Sequence, residues 1–246
     1  MTFSHRASLL ALVFLVASYV TPAFGQELSV SLGEGESISA RAIQILVLVT
    51  VLSLAPGLAI MITCFPFMVT VLAILRQGIG LQQSPPNMLL ISLALFLTYF
   101  VMEPVFNEAW SAGIVPLLQE EISTEEGVRL ALDPFRAFMS SRIDQDTYLA
   151  MASLRPEFQD VPDTSSAPLS LLIPSFMLSE ISRAFQVGFL LFLPFLIIDL
   201  VVAAVLMSMG MMMVPPAIVS LPFKLAFFVI ADGWTLVADG LVRGYF

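Results

Sequence analysis

Seven acidic or basic side chains stand in the apolar stretch from Leu169 to Phe246: Glu180, Arg183, Asp199, Lys224, Asp232, Asp239 and Arg243. A charge inside an apolar helix is expensive to bury, so each marks a site of function or of pairing. Glu180 and Arg183 are three residues apart, on one helical face, where they neutralise each other. Asp199 and Lys224 are centred on residues 211–212, inside a turn bounded by Gly210 and Pro215-Pro216. An antiparallel hairpin therefore sets them at similar depth on facing helices. The pairing reads first as a salt bridge that fixes hairpin register, with a proton relay as the alternative. Lys224 is the only lysine in the chain. Asp232 follows it by eight residues, about 12 Å along a single helix and out of bonding reach.

Other chemistry finds little material. The single histidine, His5, lies in a leader expected to be removed, and the single cysteine, Cys64, has no intramolecular partner. Without histidine there is no imidazole base, shuttle or metal ligand, and no cofactor is expected. Asp199 and Asp232 invite comparison with an intramembrane aspartyl dyad, but Asp232 follows Ala231 rather than sitting in a Gly-x-Gly-Asp setting. Ser220 and Lys224 are separated by Leu221-Pro222-Phe223, which matches no Ser-Lys motif. The chain is read as a non-enzyme.

The densest signal is Met207–Pro216, MSMGMMMVPP, which holds five of the 13 methionines within seven residues. Thioether side chains are unbranched and deformable, so they mould around shapes that change. At a hairpin tip, Met211, Met212 and Met213 would form a soft apolar collar, with Met207, Met209, Gly210, Pro215 and Pro216 shaping the turn. Such collars from several copies can close a pore hydrophobically; core filling or lipid contact is the plainer account.

These residues need apolar helices to carry them, and the composition supplies them. Of 246 residues, 58% are hydrophobic and 12% charged, and the mean hydropathy is +0.94. A soluble domain is nearer half apolar and a quarter charged, so the chain belongs in a membrane. The net charge of −9 excludes a nucleic-acid partner on electrostatic grounds. Residues 1–25 show Arg6, an apolar run from Leu9 to Val20 and the small-x-small site Ala23-Phe24-Gly25. That is the pattern of a secretory signal peptide, cleaved between Gly25 and Gln26. Residues 26–40 read as a flexible extracytoplasmic tail.

Residues 41–106 form a first helical hairpin. No charge occurs between Arg41 and Arg76, and a straight helix over that length would run about 50 Å against a hydrocarbon core of about 30 Å. The run must tilt, project or break, with Pro56-Gly57 and Pro66 as the break points. Gln77–Asn87 is a polar Gly/Pro turn, and Met88–Phe106 the returning apolar helix. Residues 107–168 are an extracytoplasmic acidic module and linker. Counted from Glu103 to Asp163, there are 12 acidic and four basic residues. Ser123 followed by Glu126 predicts a capped helix, and Val128, Leu132, Phe135 and Met139 recur at helical spacing. Residues 169–246 form a second hairpin. The expected fold is an all-α integral membrane protein of about four apolar helices in two hairpins.

The block Leu178–Trp234 resembles the FliP family of flagellar export-gate proteins, through its MMMVPP and LPFK elements. Leu75–Asn87 (LRQGIGLQQSPPN), Leu93–Val105 and Asp133–Met139 extend the likeness over nearly the whole chain that follows the leader. One departure stands in the first hairpin: Phe67 replaces an arginine common in the family's Thr-Ser-Phe-x-Arg pattern. The resemblance implies a core channel subunit of the flagellar type III export gate, passing unfolded rod, hook and filament subunits across the inner membrane. It implies a homo-oligomeric ring, a pentamer, assembled with FliQ and FliR inside the basal-body membrane ring, with FlhB at the entrance and FlhA on the cytoplasmic side. It also implies helices tilted into a funnel rather than straight spans. The injectisome gate subunit is the nearest rival; the leader and the acidic module favour the flagellar branch. An ion- or proton-coupled transporter using Glu180, Asp199 and Lys224 is the rival from another class.

Overall fold

Proline and glycine decide where the apolar runs break. The computed structural model describes residues 38–81, 84–158, 163–211 and 213–246. The expected leader with its expected Gly25–Gln26 cleavage site, most of the expected tail, and Met212 lie outside the described residues. The chain divides into two compact units, residues 1–50 and 51–246.

Helix α1, Ile38–Met61, continues without interruption past Pro56-Gly57 and stops only before Pro66. The break lies at Ile62–Cys64, where the Thr63 hydroxyl donates to the Ile60 carbonyl at 2.9 Å. Pro66 then sits in the first turn of α2, Phe65–Ile79, where its missing N–H leaves no bond unmade. Helix α2 buries Phe67, Met68, Val71, Leu72, Leu75 and Ile79. It ends at Gly80, whose φ of 88° is a left-handed cap that a side chain would strain.

Helix α3, Asn87–Ala109, passes Pro104 and widens into a π-turn at Trp110–Ile114, followed by the short α4, Val115–Leu118. Helix α5, Thr124–Arg142, starts on Ser123, whose hydroxyl accepts from the Glu126 N–H at 3.3 Å. Its inward face departs from the expected one at the start. Val128 is 51% exposed, while Gly127 is buried under Leu117 and Ala131 lies against Gly113 of the π-turn. Small residues there let the two backbones approach closely, which rotates the contact stripe by one position. Further along, Met139 is buried as the spacing predicts. Helix α6, Gln145–Ser153, is capped by Asp144.

The second apolar block is one helix of 40 residues, α7 (Leu169–Ser208), about 60 Å long. Its first turns do not belong to a membrane-type surface: Leu171, Leu172 and Phe176 are buried with Met139, Tyr148, Ala152 and Phe158 in a small core of their own. The larger core gathers α2 with residues from α3, α7, α8 and α9. Beyond the methionine turn, α8 (Pro216–Ile230) and α9 (Gly233–Arg243) meet at a bend of 62°. Asp232, with φ 49°, makes that bend, so Lys224 and Asp232 are not on one helix. Gly233 follows because the Phe228 ring occupies the space of a side chain there.

All secondary structure among the described residues is helical. Among the described residues, three segments are long and apolar enough to cross a membrane: Ala42–Met61, Asn87–Leu118 and Leu169–Ser208. The bent pair α8–α9 makes a fourth if taken as one span. Such lengths mark a membrane-embedded protein.

Candidate functional site

The hairpin formed by α7 and α8 sets Asp199 opposite Lys224. The Lys224 ammonium donates to Asp199 Oδ2 at 2.6 Å and to the Gly78 carbonyl at 3.1 Å. The Ser220 hydroxyl donates to Asp199 Oδ1 at 2.5 Å. Both carboxylate oxygens are therefore occupied, and the ammonium sits on a carbonyl of the last turn of α2, where helix carbonyls lack partners and favour a cation. The pair thus ties three helices together. The contact with Ser220 was open to sequence reasoning, since Ser220 and Lys224 share a helical face at i,i+4. The Gly78 carbonyl, 146 positions away in sequence, carried no such signal.

Glu180 is the second centre and is fully buried. Arg183 lies 3.6 Å from its Oε1, as the i,i+3 spacing predicts. A second guanidinium, Arg142 from the end of α5, approaches the same oxygen at 3.3 Å. The Tyr245 hydroxyl donates to the other oxygen, Oε2. Burial, and then the adjacent carboxylate, push the Tyr245 hydroxyl above the ordinary phenol range, so it stays a donor. Neither Arg142 nor Tyr245 was foreseen: one is among four arginines of the acidic module, the other an aromatic beyond the last helix.

The third feature is the turn between α7 and α8. The Gly210 N–H donates to the Met207 carbonyl at 3.0 Å and the Met211 N–H to Leu206 at 3.0 Å. With Gly210 at φ 77°, this is a Schellman closure of the long helix. Pro215 and Pro216 then start α8. Met207, Met209 and Met211 project to the surface, and Met213 is 97% exposed. A turn of this kind presents thioethers outward instead of packing them inside its own chain. Asp232 stands apart from all three centres, at the bend. Among the described residues no three His, Cys, Asp or Glu side chains stand close enough to hold a metal ion.

Among the described residues, Asp199 is paired with Lys224 and Glu180 with Arg142 and Arg183, and the side chains exposed at the turn are apolar. The arrangement suits a wall or a constriction. The chain matches the FliP family over residues 48–241. It is 49% identical to the flagellar biosynthetic protein FliP of Caulobacter vibrioides (strain ATCC 19089 / CIP 103742 / CB 15), with 98% of this chain and 91% of that protein covered. The FliP of Bacillus subtilis (strain 168) is 44% identical over 87% of this chain and 96% of its own length. That of Aquifex aeolicus (strain VF5) is 43% identical over 96% and 98%. The family match spans residues 48–241 and the relatives cover most of the sequence: the chain belongs to the FliP family.

Proposed function

We propose that this chain is a channel-wall subunit of the flagellar protein-export gate, and that several copies form a ring around the path of unfolded flagellar subunits. The observation that carries the reading is the near full-length similarity to proteins named for flagellar biosynthesis. The outward-facing methionine turn supports it. In the ring, Met211, Met212 and Met213 of neighbouring copies face one another and form the constriction. Asp199–Lys224 and the Glu180 cluster hold the helices that present it. FliQ, FliR, FlhB and FlhA are the expected companions, and the bacterial inner membrane the expected site. The leader directs insertion and is cleaved before Gln26.

The mechanism follows from the side chains. At rest the gate must exclude ions, because a wet pore would dissipate the membrane potential. In transit it must fit side chains of every size. Charged residues would hydrate and leak, and β-branched residues would stay rigid, whereas methionine collapses into a dry plug and drapes around a moving chain. The test replaces Met211, Met212 and Met213 together with Ala. Ring assembly should persist while resting ion leak rises, and Asp at the same positions should raise it further. A correctly assembled triple-Ala complex as ion-tight as wild type would refute the seal. Reconstitution separates the transporter reading: the chain alone in liposomes should move no solute.

A further inference from the structure

Helix α9 presents Trp234 and Leu236 at the surface and contributes Val237 and Leu241 to the core. The chain that leaves it is held more firmly. Arg142 Nη1 donates to the Gly244 carbonyl at 2.8 Å. The Arg142 guanidinium lies over the Tyr245 ring, 4.0 Å from its centroid. That ring meets Phe67 edge-on at 5.6 Å and lies nearly parallel to Phe138 at 6.1 Å. Its hydroxyl reaches Glu180. Residues of α2, α5 and α7 thus converge on two residues, and Tyr245 lies beyond the range matched by the family, 48–241.

We propose that Gly244–Tyr245 is a clasp that fastens the α8–α9 arm to α5 and α7, with Arg142 and Tyr245 as positioning residues for the arm that carries Lys224. The division of labour is chemical. Arg142 covers a carbonyl at the C-terminal end of α9, where the helix dipole favours a cation. Its flat face stacks on an aromatic ring while its edge serves Glu180, a combination that lysine's point charge cannot reproduce. Phe67 matters for the same reason: an apolar ring at that position leaves Tyr245 an aromatic seat. Removing Tyr245 would leave Glu180 both of its arginines at Oε1 and take away the donor at Oε2 together with the packed ring. The arm is therefore anchored twice, at Lys224 by Asp199 and at its end by the clasp, with the Asp232 bend between the two anchors.

The clasp rests on contacts within one chain and does not depend on the export reading. Cys64, the only cysteine, reports on it: it is fully buried in the core cluster that Phe67 belongs to and Tyr245 packs against. Burial also pushes the Cys64 thiol up to about 12, so it reacts slowly while covered. The experiment is alkylation of the full-length, detergent-extracted chain with N-ethylmaleimide, followed by mass. Tyr245→Ala and Arg142→Met should label about tenfold faster than wild type, as expected when a charge-assisted contact that closes a local opening is lost. Tyr245→Phe, which keeps the ring and loses the hydroxyl, should fall between. Asp239→Asn, in the exposed Asp239–Arg243 pair, should leave the rate unchanged. A wild-type rate in Tyr245→Ala overturns the clasp. If that variant does not accumulate, Tyr245→Phe and Arg142→Lys decide: faster labelling of both supports the clasp, and a wild-type rate in either overturns it. Lost motility with unchanged labelling would sink the clasp and leave the export reading standing.

Discussion

Breaking the Asp199–Lys224 pair from its two sides should do unequal damage, with the worse outcome following loss of the carboxylate. The Lys224 side chain is 6% exposed and that of Asp199 32%. In Asp199→Ala the ammonium keeps one neutral partner, the Gly78 carbonyl, in a nearly closed site. A buried ion left without its counter-charge destabilises by about 3–5 kcal/mol. In Lys224→Met the carboxylate keeps the Ser220 hydroxyl and an open side that water can reach in detergent. That loss should be smaller, about 1–3 kcal/mol. Removing both charges, as Asp199→Ala with Lys224→Met, leaves no stranded ion and should be milder than Asp199→Ala alone. Exchanging the two residues should recover only part of the stability. A carboxylate at position 224 would face the Gly78 carbonyl, acceptor against acceptor, at a helix end that disfavours negative charge. The assay is the temperature at which the detergent-extracted chain loses monodispersity. If Asp199→Ala is as mild as Lys224→Met, or the double variant no better than Asp199→Ala, the pairing is not what holds the hairpin.

Three further outcomes follow from local geometry. Gly113→Ala would set a methyl 2.5 Å from the Ala131 nitrogen, a backbone atom that cannot swing aside; a loss of about 1–3 kcal/mol should appear as earlier proteolysis of the α5–α6 region. Gly210→Ala meets nothing within 4 Å but inherits a φ of 77°, so its effect should be conformational alone, about 1 kcal/mol, while Gly210→Asn should be milder in the same thermal assay. Asp144 caps α6 through the Thr147 N–H, and that bond, joined by the Thr147 hydroxyl, holds its carboxyl below the usual range. A depressed folded value means that this stabilisation is present above the unfolded pKa and fades as pH falls through the folded one. Amide exchange at the start of α6 should therefore quicken on acidification in wild type, and Asp144→Asn should flatten that dependence.

How much could be read beforehand depended on range in sequence. The helical class, the Ser123 cap, the Arg183 contact and the Asp199–Lys224 pair all follow from spacings within one helix or one hairpin. There, 3.6-residue periodicity and a shared turn convert position into proximity. The break before Pro66 was legible too, but not that Pro56-Gly57 would be crossed without one, because a proline's effect depends on what repairs the bonds it frees. The inward face of α5 was misjudged at Val128 for a tertiary reason: hydrophobic spacing marked the larger side chains, whereas the close crossing with the π-turn selected Gly127 and Ala131. What sequence did not show was the environment of Glu180. Its i,i+3 arginine looked sufficient, yet a fully buried carboxylate offers more acceptor capacity than one guanidinium at 3.6 Å fills. That unmet capacity was a reason to seek a second donor. Only the fold supplies the answer, since Arg142 and Tyr245 come from 38 and 65 positions away on opposite sides of the sequence. The local pattern thus announces where a charge needs partners, and chain topology decides which residues answer. In this protein the answering residues join the acidic module to the last helix, so burial of one carboxylate couples two segments that composition alone would have kept separate.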